Sequence, residues 1–277
     1  MANSKVVYTA ITAWYDTLKP PAVIDGDLDY VVFTDDPHLP AVPPWRPVRI
    51  DAGQRNPRVT SRWYKLLPHL HLGEYATSLW IDGAFEIIAS LSSLMDRLAA
   101  GGGIAMFRHP ERDCIYQEAT VVKEFGYERA AVVDLQMACY RARGYPEHAG
   151  LNLGGVIFRR HRDPDIRLAM VDWWRQMELF SQRDQLGLNY VLWKRGIPCL
   201  PIEGERGVST WLRHHAHPDC RAYLGRQDSS DELEWLREAA ADAWDARLFL
   251  ERDLRMQTNR LRNATDRDRL FFRDFPL

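Results

Sequence analysis

The sequence predicts an α/β fold, because short strand-like runs alternate along the chain with longer helical segments. The runs are rich in β-branched and aromatic residues, and the segments repeat apolar residues at helical spacing, a pattern typical of a sheet flanked by helices. The predicted strands cover residues 5–12, 29–34, 45–51, 78–82, 104–107, 152–158 and 198–202. The predicted helices cover residues 58–72, 91–100, 116–143 (in two pieces that break near Gly126), 164–180 and 184–194.

Local residues support several of these boundaries. The glycines at 101–103 end the second helix, and Pro47 favours an edge position for the third strand because proline has no amide hydrogen to donate. From residue 231 onward, apolar residues keep near-helical spacing among many charges, which predicts an amphipathic helix with an aromatic tail. We therefore expect a domain over residues 1–227 and a C-terminal extension over 228–277, which packs on its own domain or forms a homo-oligomer.

Composition excludes several classes of protein. The net charge of −2 over 277 residues provides no field that would attract nucleic acid, and no apolar run approaches membrane-spanning length. The four cysteines form no close pair, so a structural zinc site or a disulfide framework is not expected. The N-terminus lacks a signal-peptide pattern. These features predict a cytoplasmic protein without a transmembrane segment.

One carboxylate follows the apolar run at 78–81 directly. Asp82 comes before Gly83, and an acid at the carboxyl end of a central α/β strand points into the crevice where such sheets bind ligands. Asp-Gly between two apolar runs is also a strong hairpin signal, so Asp82 is either a ligand-binding acid or a turn residue.

Basic and acidic residues elsewhere allow similar pairs of interpretations. Arg58, Arg62 and Lys65 share one face of a predicted helix, which suits a diphosphate or is simply a solvated face. Asp35 and Asp36 follow a buried strand. Two interpretations are open: their carboxylates accept hydrogen bonds from a ribose or base, or they begin a turn before proline.

Three further segments carry candidate chemistry. The loop from His109 to Tyr116 combines a base, a cation and an acid, which together can bind a ligand and transfer protons. The alternative interpretation is a surface turn. Asp184 follows Ser181 as in a capping box, so it caps a helix or orients a sugar hydroxyl. A histidine cluster at 214–217 offers a metal ligand to partner Asp82, or forms a polar loop.

Two glycines, Gly154 and Gly155, lie within a predicted strand after Asn152. Glycine weakens a strand, so its presence there indicates either close approach of a ligand or backbone, or a β-bulge.

Taken together, these segments resemble a glycosyltransferase-like domain family that occurs in plant proteins linked to cell-wall and mucilage synthesis and in many bacterial chains. The matching segments are residues 8–11, 30–36, 62–69, 78–83, 107–116, 150–157 and 183–186. The family is distantly similar to glycogenin-like transferases, which implies a GT-A-like, Rossmann-type mixed sheet flanked by helices. We also expect a bacterial source.

The resemblance implies a nucleotide-sugar donor and a role for each matching residue. Residues implied to face the nucleoside are Thr9, Ala10, Thr12, Asp35 and Asp36. Residues implied to contact the rest of the donor are Arg62, Lys65, Asp82, Gly83, Asn152, Gly154 and Gly155. Residues implied in catalysis are Asp184 and Gln185 near the reacting carbon, with His109 and Asp113, beside Arg112, on the acceptor side.

The resemblance also implies a divalent cation, Mn²⁺ or Mg²⁺, on the donor diphosphate. The related transferases carry an Asp-x-Asp pair, whereas this chain has Asp82-Gly83-Ala84 and lacks the second acid. Asp82 and a histidine such as His215 are the implied ligands, although His214 and His217 are equally placed.

The predicted function is transfer of a sugar from a nucleotide-diphosphate-sugar to a glycan or other hydroxyl acceptor. The alternatives are a non-catalytic nucleotide-sugar or glycan-binding module and a metal-dependent hydrolase built on the C-terminal histidines.

Overall fold

A computed structural model of the chain describes residues 4–51, 56–205 and 209–215. The strands are β1 (Lys5–Ile11), β2 (Leu28–Thr34), β3 (Arg46–Arg49), β4 (Thr77–Ile81), β5 (Phe85–Ile87), β6 (Ile104–Arg108), β7 (Asn152–Arg159), β8 (Leu200–Pro201) and β9 (Leu212–His214). The helices are α1 (Pro57–Leu66), α2 (Ser92–Gly101), α3 (Ile115–Glu124), α4 (Ala130–Ala142), α5 (Pro164–Leu179) and α6 (Asp184–Lys194), with a 3₁₀ turn at Pro68–Leu70.

Seven strands form a mixed sheet in the order β3-β2-β1-β4-β7-β6-β8. The pairs from β3 to β4 and the pair of β6 with β8 are parallel, whereas β7 runs antiparallel to β4 and β6. Strands β5 and β9 form a separate antiparallel pair. The predicted α/β fold with a mixed sheet flanked by helices is confirmed.

Alternating side chains on the strands bury both faces of the sheet. Val7 and Leu79 point to the face covered by α2, where Leu94 and Met95 complete an apolar core. Tyr8 points to the opposite face, which α1 and α5 cover. Both faces of the sheet are therefore excluded from water, which explains the near-continuous apolar runs in the central strands.

The structure shortens two predicted elements and excludes a hairpin at Asp82. The helix predicted over 58–72 ends at Leu66, because the residue before Pro68 cannot stay helical. The strand predicted over 198–202 is only two residues long. Asp82 does not turn a hairpin, since β4 and β5 belong to different sheets and β5 pairs with β9. It does begin a turn, because its carbonyl accepts the amide of Phe85 at 3.0 Å, and its side chain lines the cleft.

The strand directions bring several chain segments to one edge of the sheet. The carboxyl ends of β1, β2, β4 and β6 and the amino end of β7 meet there. At this edge the pairing of β6 with β7 jumps from Ile157 to Leu153, so Gly154 and Gly155 leave the β6 ladder. The glycines thus mark an irregularity in the strand, beside the end of β4.

Tyr8 links the sheet to the helix that carries Lys65. Its hydroxyl donates to the backbone carbonyl of Lys65 at 3.1 Å and accepts from the guanidinium of Arg159, and both side chains are fully buried. Burial raises the pKa of Tyr8 to about 12 despite the neighbouring guanidinium, so the hydroxyl remains a donor at neutral pH. One hydroxyl therefore satisfies two buried groups and fixes where α1 lies on β1.

The C-terminal extension predicted over 228–277 lies outside the described residues, so the division of the chain at residue 227 stays a prediction. No helix in the described part of the chain is long and apolar enough to cross a membrane.

We predict that Tyr8→Phe lowers the free energy of unfolding by about 1–3 kcal/mol, because the buried guanidinium of Arg159 and the buried carbonyl of Lys65 each lose a hydrogen-bond partner. Urea denaturation followed by circular dichroism measures the change. Tyr30→Phe is the matched control, since its hydroxyl accepts only the amide of Asp25 and should cost less. Equal losses in the two variants would contradict the role given to Tyr8.

Candidate functional site

A cleft opens at the sheet edge where the parallel strands end. Its volume is about 200 Å³. The residues that line it are Ala10, Tyr15, Asp16, Ser61, Arg62, Lys65, Trp80, Asp82, Gly83, Leu153, Gly154, Gly155, Arg183, Asp184 and Gln185. They come from β1, α1, β4, β7, α6 and the adjoining loops. The crevice at the carboxyl ends of α/β strands is the usual ligand site of such sheets.

A buried ion pair lies at the base of the cleft. The ammonium of Lys65 is 2.6 Å from Asp184 Oδ2 and 3.4 Å from Asp82 Oδ1. Arg62 approaches the same oxygen of Asp184 through its Nε atom at 3.2 Å. The side chain of Lys65 is 1% exposed and that of Asp184 is 8% exposed. These buried ion pairs therefore link helix α1 to helix α6 at the poorly solvated base of the cleft.

The cations determine the ionisation of Asp184. Burial alone would raise the pKa of this carboxyl, but the Arg62 guanidinium and the Lys65 ammonium outweigh burial and hold the pKa well below its usual range. Asp184 is therefore a carboxylate throughout the physiological range of pH. A carboxylate this acidic accepts hydrogen bonds readily but is a weak base toward a proton.

Asp82 is oriented by its own strand and by the neighbouring one. The Nε1 atom of Trp80 donates to its Oδ1 at 2.7 Å, and its backbone amide donates to the carbonyl of Gly155 at 2.8 Å. Oδ1 is therefore held by Trp80 and Lys65. The other oxygen, Oδ2, faces Gly155, where an added Cβ atom would lie 3.3 Å away.

The glycines keep this part of the cleft open. A Cβ atom on Gly154 would come within 3.3 Å of Lys65 Nζ and 3.4 Å of Asp184 Oδ2. A Cβ atom on Gly83 would come within 2.8 Å of the side chain of Asp16. Side chains at these positions would fill the space in front of the charged groups, so the glycines preserve access to them.

The structure brings about half of the predicted site residues together. Those that line the cleft are Ala10, Arg62, Lys65, Asp82, Gly83, Gly154, Gly155, Asp184 and Gln185. Asp184 begins α6, but no side-chain hydrogen bond caps that helix, so the capping interpretation does not account for it.

The predicted nucleoside-facing residues other than Ala10 do not line the cleft. Thr9 is buried within β1, and Thr12 donates to the carbonyl of Pro57 at 3.0 Å, which joins β1 to α1. Asp35 accepts the amide of Ala13, and Asp36 accepts the amide of His38 as in an ordinary turn. The side chains of Thr12, Asp35 and Asp36 therefore support the backbone beside the cleft.

Asn152 also stands outside the lining of the cleft. Its side chain accepts from Arg108 at 2.9 Å and donates to Asn189 at 2.8 Å, so it joins β6, β7 and α6. Its place in the donor pocket is not supported by its contacts, because both polar atoms of the amide already have protein partners.

The loop predicted to line the acceptor side, which follows β6, has its own network. His109 Nδ1 accepts the backbone amides of Glu111 and Arg112, and burial, together with the charge of Arg112, lowers the pKa of His109. Arg112 pairs with Glu118 at 2.8 Å, and Asp113 pairs with His148 at 2.6 Å. Neither His109 nor Asp113 lines the cleft.

The histidine proposed as a metal ligand has a different partner. His215 Nε2 contacts Glu86 Oε2 at 2.8 Å, and this contact, with Arg213, lowers the pKa of Glu86. His214 packs edge-on against the ring of Phe85. Among the described residues, no group of three acidic, histidine or cysteine side chains could hold a metal ion. His217 lies outside the described residues.

Several residues that line the cleft were not predicted from the sequence. Tyr15 and Asp16 come from the loop after β1, where Ala13 and Trp14 have positive φ angles. Trp80 is buried in an apolar strand, so the sequence indicated a core residue, yet its indole nitrogen donates to Asp82 and Lys65 Nζ lies 5.6 Å from the centre of its ring. Arg183 directly precedes Asp184, which was predicted as a site residue. Its position in a loop, where binding residues are common, was the signal in the sequence that could have identified it.

The fold and the cleft define an α/β domain with an open cleft at the carboxyl ends of its parallel strands, the usual ligand site of such sheets. The sequence matches the model of the TOD1/MUCI70 glycosyltransferase-like domain over residues 3–198. The chain therefore belongs to this family, and the resemblance inferred from its motifs is confirmed.

Individual relatives are more distant. The chain is 29% identical over 149 residues to the probable hexosyltransferase MUCI70 of Arabidopsis thaliana, a match that covers 50% of this chain and 25% of the relative. The chain thus matches only a quarter of that protein. This comparison contradicts the prediction of a bacterial source, because the curated relative that it finds is a plant protein.

Two solved structures match parts of this chain at low identity. The bifunctional glycosyltransferase WbbM, in an apo structure, is 14% identical with a TM-score of 0.45, over 73% of this chain and 39% of WbbM. The apo form of mouse xyloside xylosyltransferase 1 is 11% identical with a TM-score of 0.41, over 72% of this chain and 84% of that chain.

We predict that Asp184→Asn lowers the free energy of unfolding by about 3 kcal/mol at neutral pH, because Lys65 and Arg62 lose a buried counter-charge. The pKa of Asp184 in the folded state lies below its unfolded value of 3.8, so this stabilisation is complete at neutral pH and declines as the pH falls below that value. The difference between the variant and the wild type should therefore shrink in acid.

Urea denaturation at neutral pH and at about pH 3 measures this difference. Asp134→Asn is the control, because Asp134 forms an exposed pair with Lys123 that is worth less than about 1 kcal/mol. A loss for Asp184→Asn that is equally large at both pH values would show that charge is not the cause.

Proposed function

We propose that the chain is a glycosyltransferase that moves a sugar from a nucleotide-diphosphate-sugar to a hydroxyl acceptor in this cleft. The observation that carries the proposal is the pair of cations, Arg62 and Lys65, beside Asp82 and Asp184 in front of Gly154. Membership of a glycosyltransferase-like family and the similarity to a probable hexosyltransferase support it.

The cations suit the leaving group of such a reaction. The acceptor oxygen forms a bond to the anomeric carbon, the bond from that carbon to the diphosphate oxygen breaks, and its electron pair leaves with the nucleoside diphosphate. The acceptor proton passes to the solvent or to a base. Negative charge grows on the diphosphate during this step, and fixed positive charge in a poorly solvated place lowers the barrier to it. Arg62, 20% exposed, is accessible from the cleft, whereas Lys65 is buried beneath it.

Asp184 suits the hydroxyls of the transferred sugar. Its lowered pKa keeps it ionised, so it accepts hydrogen bonds rather than protons. The neighbouring Gln185 has a buried Nε2 atom without a hydrogen-bond partner among the described residues. A buried donor of this kind is costly unless a ligand or a water molecule satisfies it. Asp184 and Gln185 together therefore offer one acceptor and one donor to a sugar.

The acids in the cleft fit a divalent cation that is held chiefly by the donor. Mg²⁺ is commonly bound by one or two carboxylates together with substrate phosphates. Asp82 and Asp16 both line the cleft and would be those carboxylates, while Ala84 is buried and supplies no ligand. When bound, the cation would neutralise charge on the diphosphate. His215 is not part of this proposed set, because it contacts Glu86.

The two alternatives predict different behaviour. A binding module would bind a nucleotide-sugar without cleaving it. An assay for hydrolysis of the donor therefore distinguishes a binding module from an enzyme. A metal-dependent hydrolase would need a zinc site made by the protein itself, and the described residues offer none.

We predict that UDP or GDP near a hundredfold excess over its Kd raises the Tm of the protein by about 5 °C, because the nucleotide binds only the folded state. Differential scanning fluorimetry with and without Mn²⁺ measures the shift. Asp82→Asn should reduce the Mn²⁺-dependent part of the shift, whereas Asp96→Asn, an exposed acid on α2, should not. Absence of any shift with either nucleotide would argue strongly against the proposal.

We predict that Arg62→Gln slows hydrolysis of the sugar-nucleotide donor by about a hundredfold, because one fixed charge near the leaving group is lost. Release of the nucleoside diphosphate from each UDP- and GDP-sugar of a donor panel measures the rate. Arg175→Gln removes an exposed arginine on α5 and should leave the rate unchanged. If wild-type protein binds donor but never hydrolyses or transfers it, the chain is a binding module.

A further inference from the structure

The turn that follows β1 has a conformation that is rare for its residues. Ala13 has a φ angle of +50° and Trp14 has a φ angle of +54°, and the amide of Tyr15 donates to the carbonyl of Thr12 at 3.1 Å. Two successive residues with positive φ are typical of a type I′ turn, in which glycine, asparagine and aspartate are the usual residues. Alanine and tryptophan have a Cβ atom that disfavours this region, so the turn is strained unless its surroundings hold it.

A carboxylate at the end of the neighbouring strand holds this turn. Asp35 directly follows β2, and it accepts the amide of Ala13 at 3.0 Å through Oδ1 and at 3.3 Å through Oδ2. Because β1 and β2 are parallel and Ile11 is paired with Thr34, Asp35 lies beside the start of the turn. Hydrogen bonds to charged acceptors are roughly twice as strong as neutral ones. This contact therefore helps to offset the strain of the turn.

The turn leads directly into the cleft. Tyr15 and Asp16 follow it, and both line the cleft. The side chain of Asp16 lies against Gly83, since an added Cβ atom on that glycine would come within 2.8 Å of it. Lys19 donates to the carbonyl of Gly83 at 2.9 Å, which fixes the other end of the loop. The turn and Lys19 therefore determine where Tyr15 and Asp16 lie relative to Asp82.

We propose that Asp35 is a positioning residue for the donor, because it holds the strained turn and so keeps Tyr15 and Asp16 in the cleft. Asp35 itself does not contact the donor. This inference rests on the proposed function, in which Asp16 is one of two acids for a divalent cation on the diphosphate. Without Asp35, only the fraction of molecules that retains the turn binds donor, so the apparent affinity falls by that fraction. The complex that does form reacts as before.

The test uses the full chain and measures binding and turnover separately. Isothermal titration calorimetry with Mn²⁺ gives the Kd of UDP or GDP, whichever the wild type binds, and donor hydrolysis gives KM and kcat. Asp35→Ala should raise the Kd and the KM about tenfold and leave kcat within about twofold of the wild type. Asp35→Asn keeps one oxygen for the amide, so its Kd should lie between those of the wild type and Asp35→Ala.

A second substitution in the turn distinguishes positioning from direct contact. Glycine adopts positive φ without the steric cost that alanine has. Ala13→Gly alone should therefore change the Kd by no more than about twofold, and Ala13→Gly combined with Asp35→Ala should restore the Kd to within about threefold of the wild type. The loss of a carboxylate that contacted the donor would not be reversed by a glycine in the turn.

Asp163→Ala is the matched control. Asp163 is also a partly buried aspartate that accepts a backbone amide, that of Asp165 at 3.1 Å, but it lies at the start of α5 and does not line the cleft. Its loss should lower stability and leave the Kd unchanged.

Hydrogen exchange followed by mass spectrometry reports on the turn without any ligand. The amides of residues 12–16 should exchange faster in Asp35→Ala than in the wild type, because the turn opens more often. Ala13→Gly in the same chain should restore part of their protection.

Several results would overturn the inference. These are an unchanged Kd in Asp35→Ala, a raised Kd that Ala13→Gly does not restore, and an equal rise in Asp163→Ala. If Asp35→Ala does not fold, Asp35→Asn with and without Ala13→Gly gives the same comparison. A wild type that binds no nucleotide and hydrolyses no donor would overturn the proposed function and, with it, the role of Asp35 toward the donor. A wild type that hydrolyses donor, with unchanged constants in Asp35→Ala, would overturn this inference alone.

Discussion

The rest of the site depends on the contact between the Lys65 ammonium and the Asp184 carboxylate. This contact joins α1 to α6 across the glycines of β7, with both charges almost entirely buried. A buried charge without a partner is strongly destabilising, so each side chain constrains the position of the helix that carries the other. The Tyr8 hydroxyl adds a second constraint on α1, because it donates to the backbone of Lys65. The cleft is thus held open by charged groups, and its shape depends on their pairing.

The balance of charge in the cleft bears on its chemistry. Arg62, Lys65 and Arg183 line the cleft, and so do the acids Asp16, Asp82 and Asp184. The side chains therefore nearly neutralise one another, and a diphosphate would add negative charge that they do not fully offset. A divalent cation brought with the donor would restore the balance, which is why we propose that Asp82 acts together with substrate phosphates. The missing acid at Ala84 does not argue against this, because such a cation needs few protein ligands.

Local patterns predicted the elements well and the contacts of single polar side chains less well. The period of apolar residues located the strands and helices, because burial on one or both faces of an element leaves a direct trace in the sequence. The steps of three and four residues between Arg58, Arg62 and Lys65 placed them on one helical face, but only Arg62 and Lys65 reach the cleft. Asp35, Asp36 and Asn152 have the residue types of a binding site, yet protein groups occupy their polar atoms. The partner of a polar side chain is a property of the tertiary fold, which spacing along the chain does not record.

The sequence by itself determined the α/β class, the family and the presence of an acid at the end of a central strand. These depend on periodicity and on short motifs, which a linear chain displays directly. Only the tertiary structure decided that Asp82 and Asp184, about a hundred residues apart, converge on Lys65. It also decided that Tyr15, Asp16 and Arg183 join the cleft and that His215 turns to Glu86. The physical reason is that strand order and helix packing bring distant residues together, and the energy of a buried charge depends on those neighbours rather than on the chain around it.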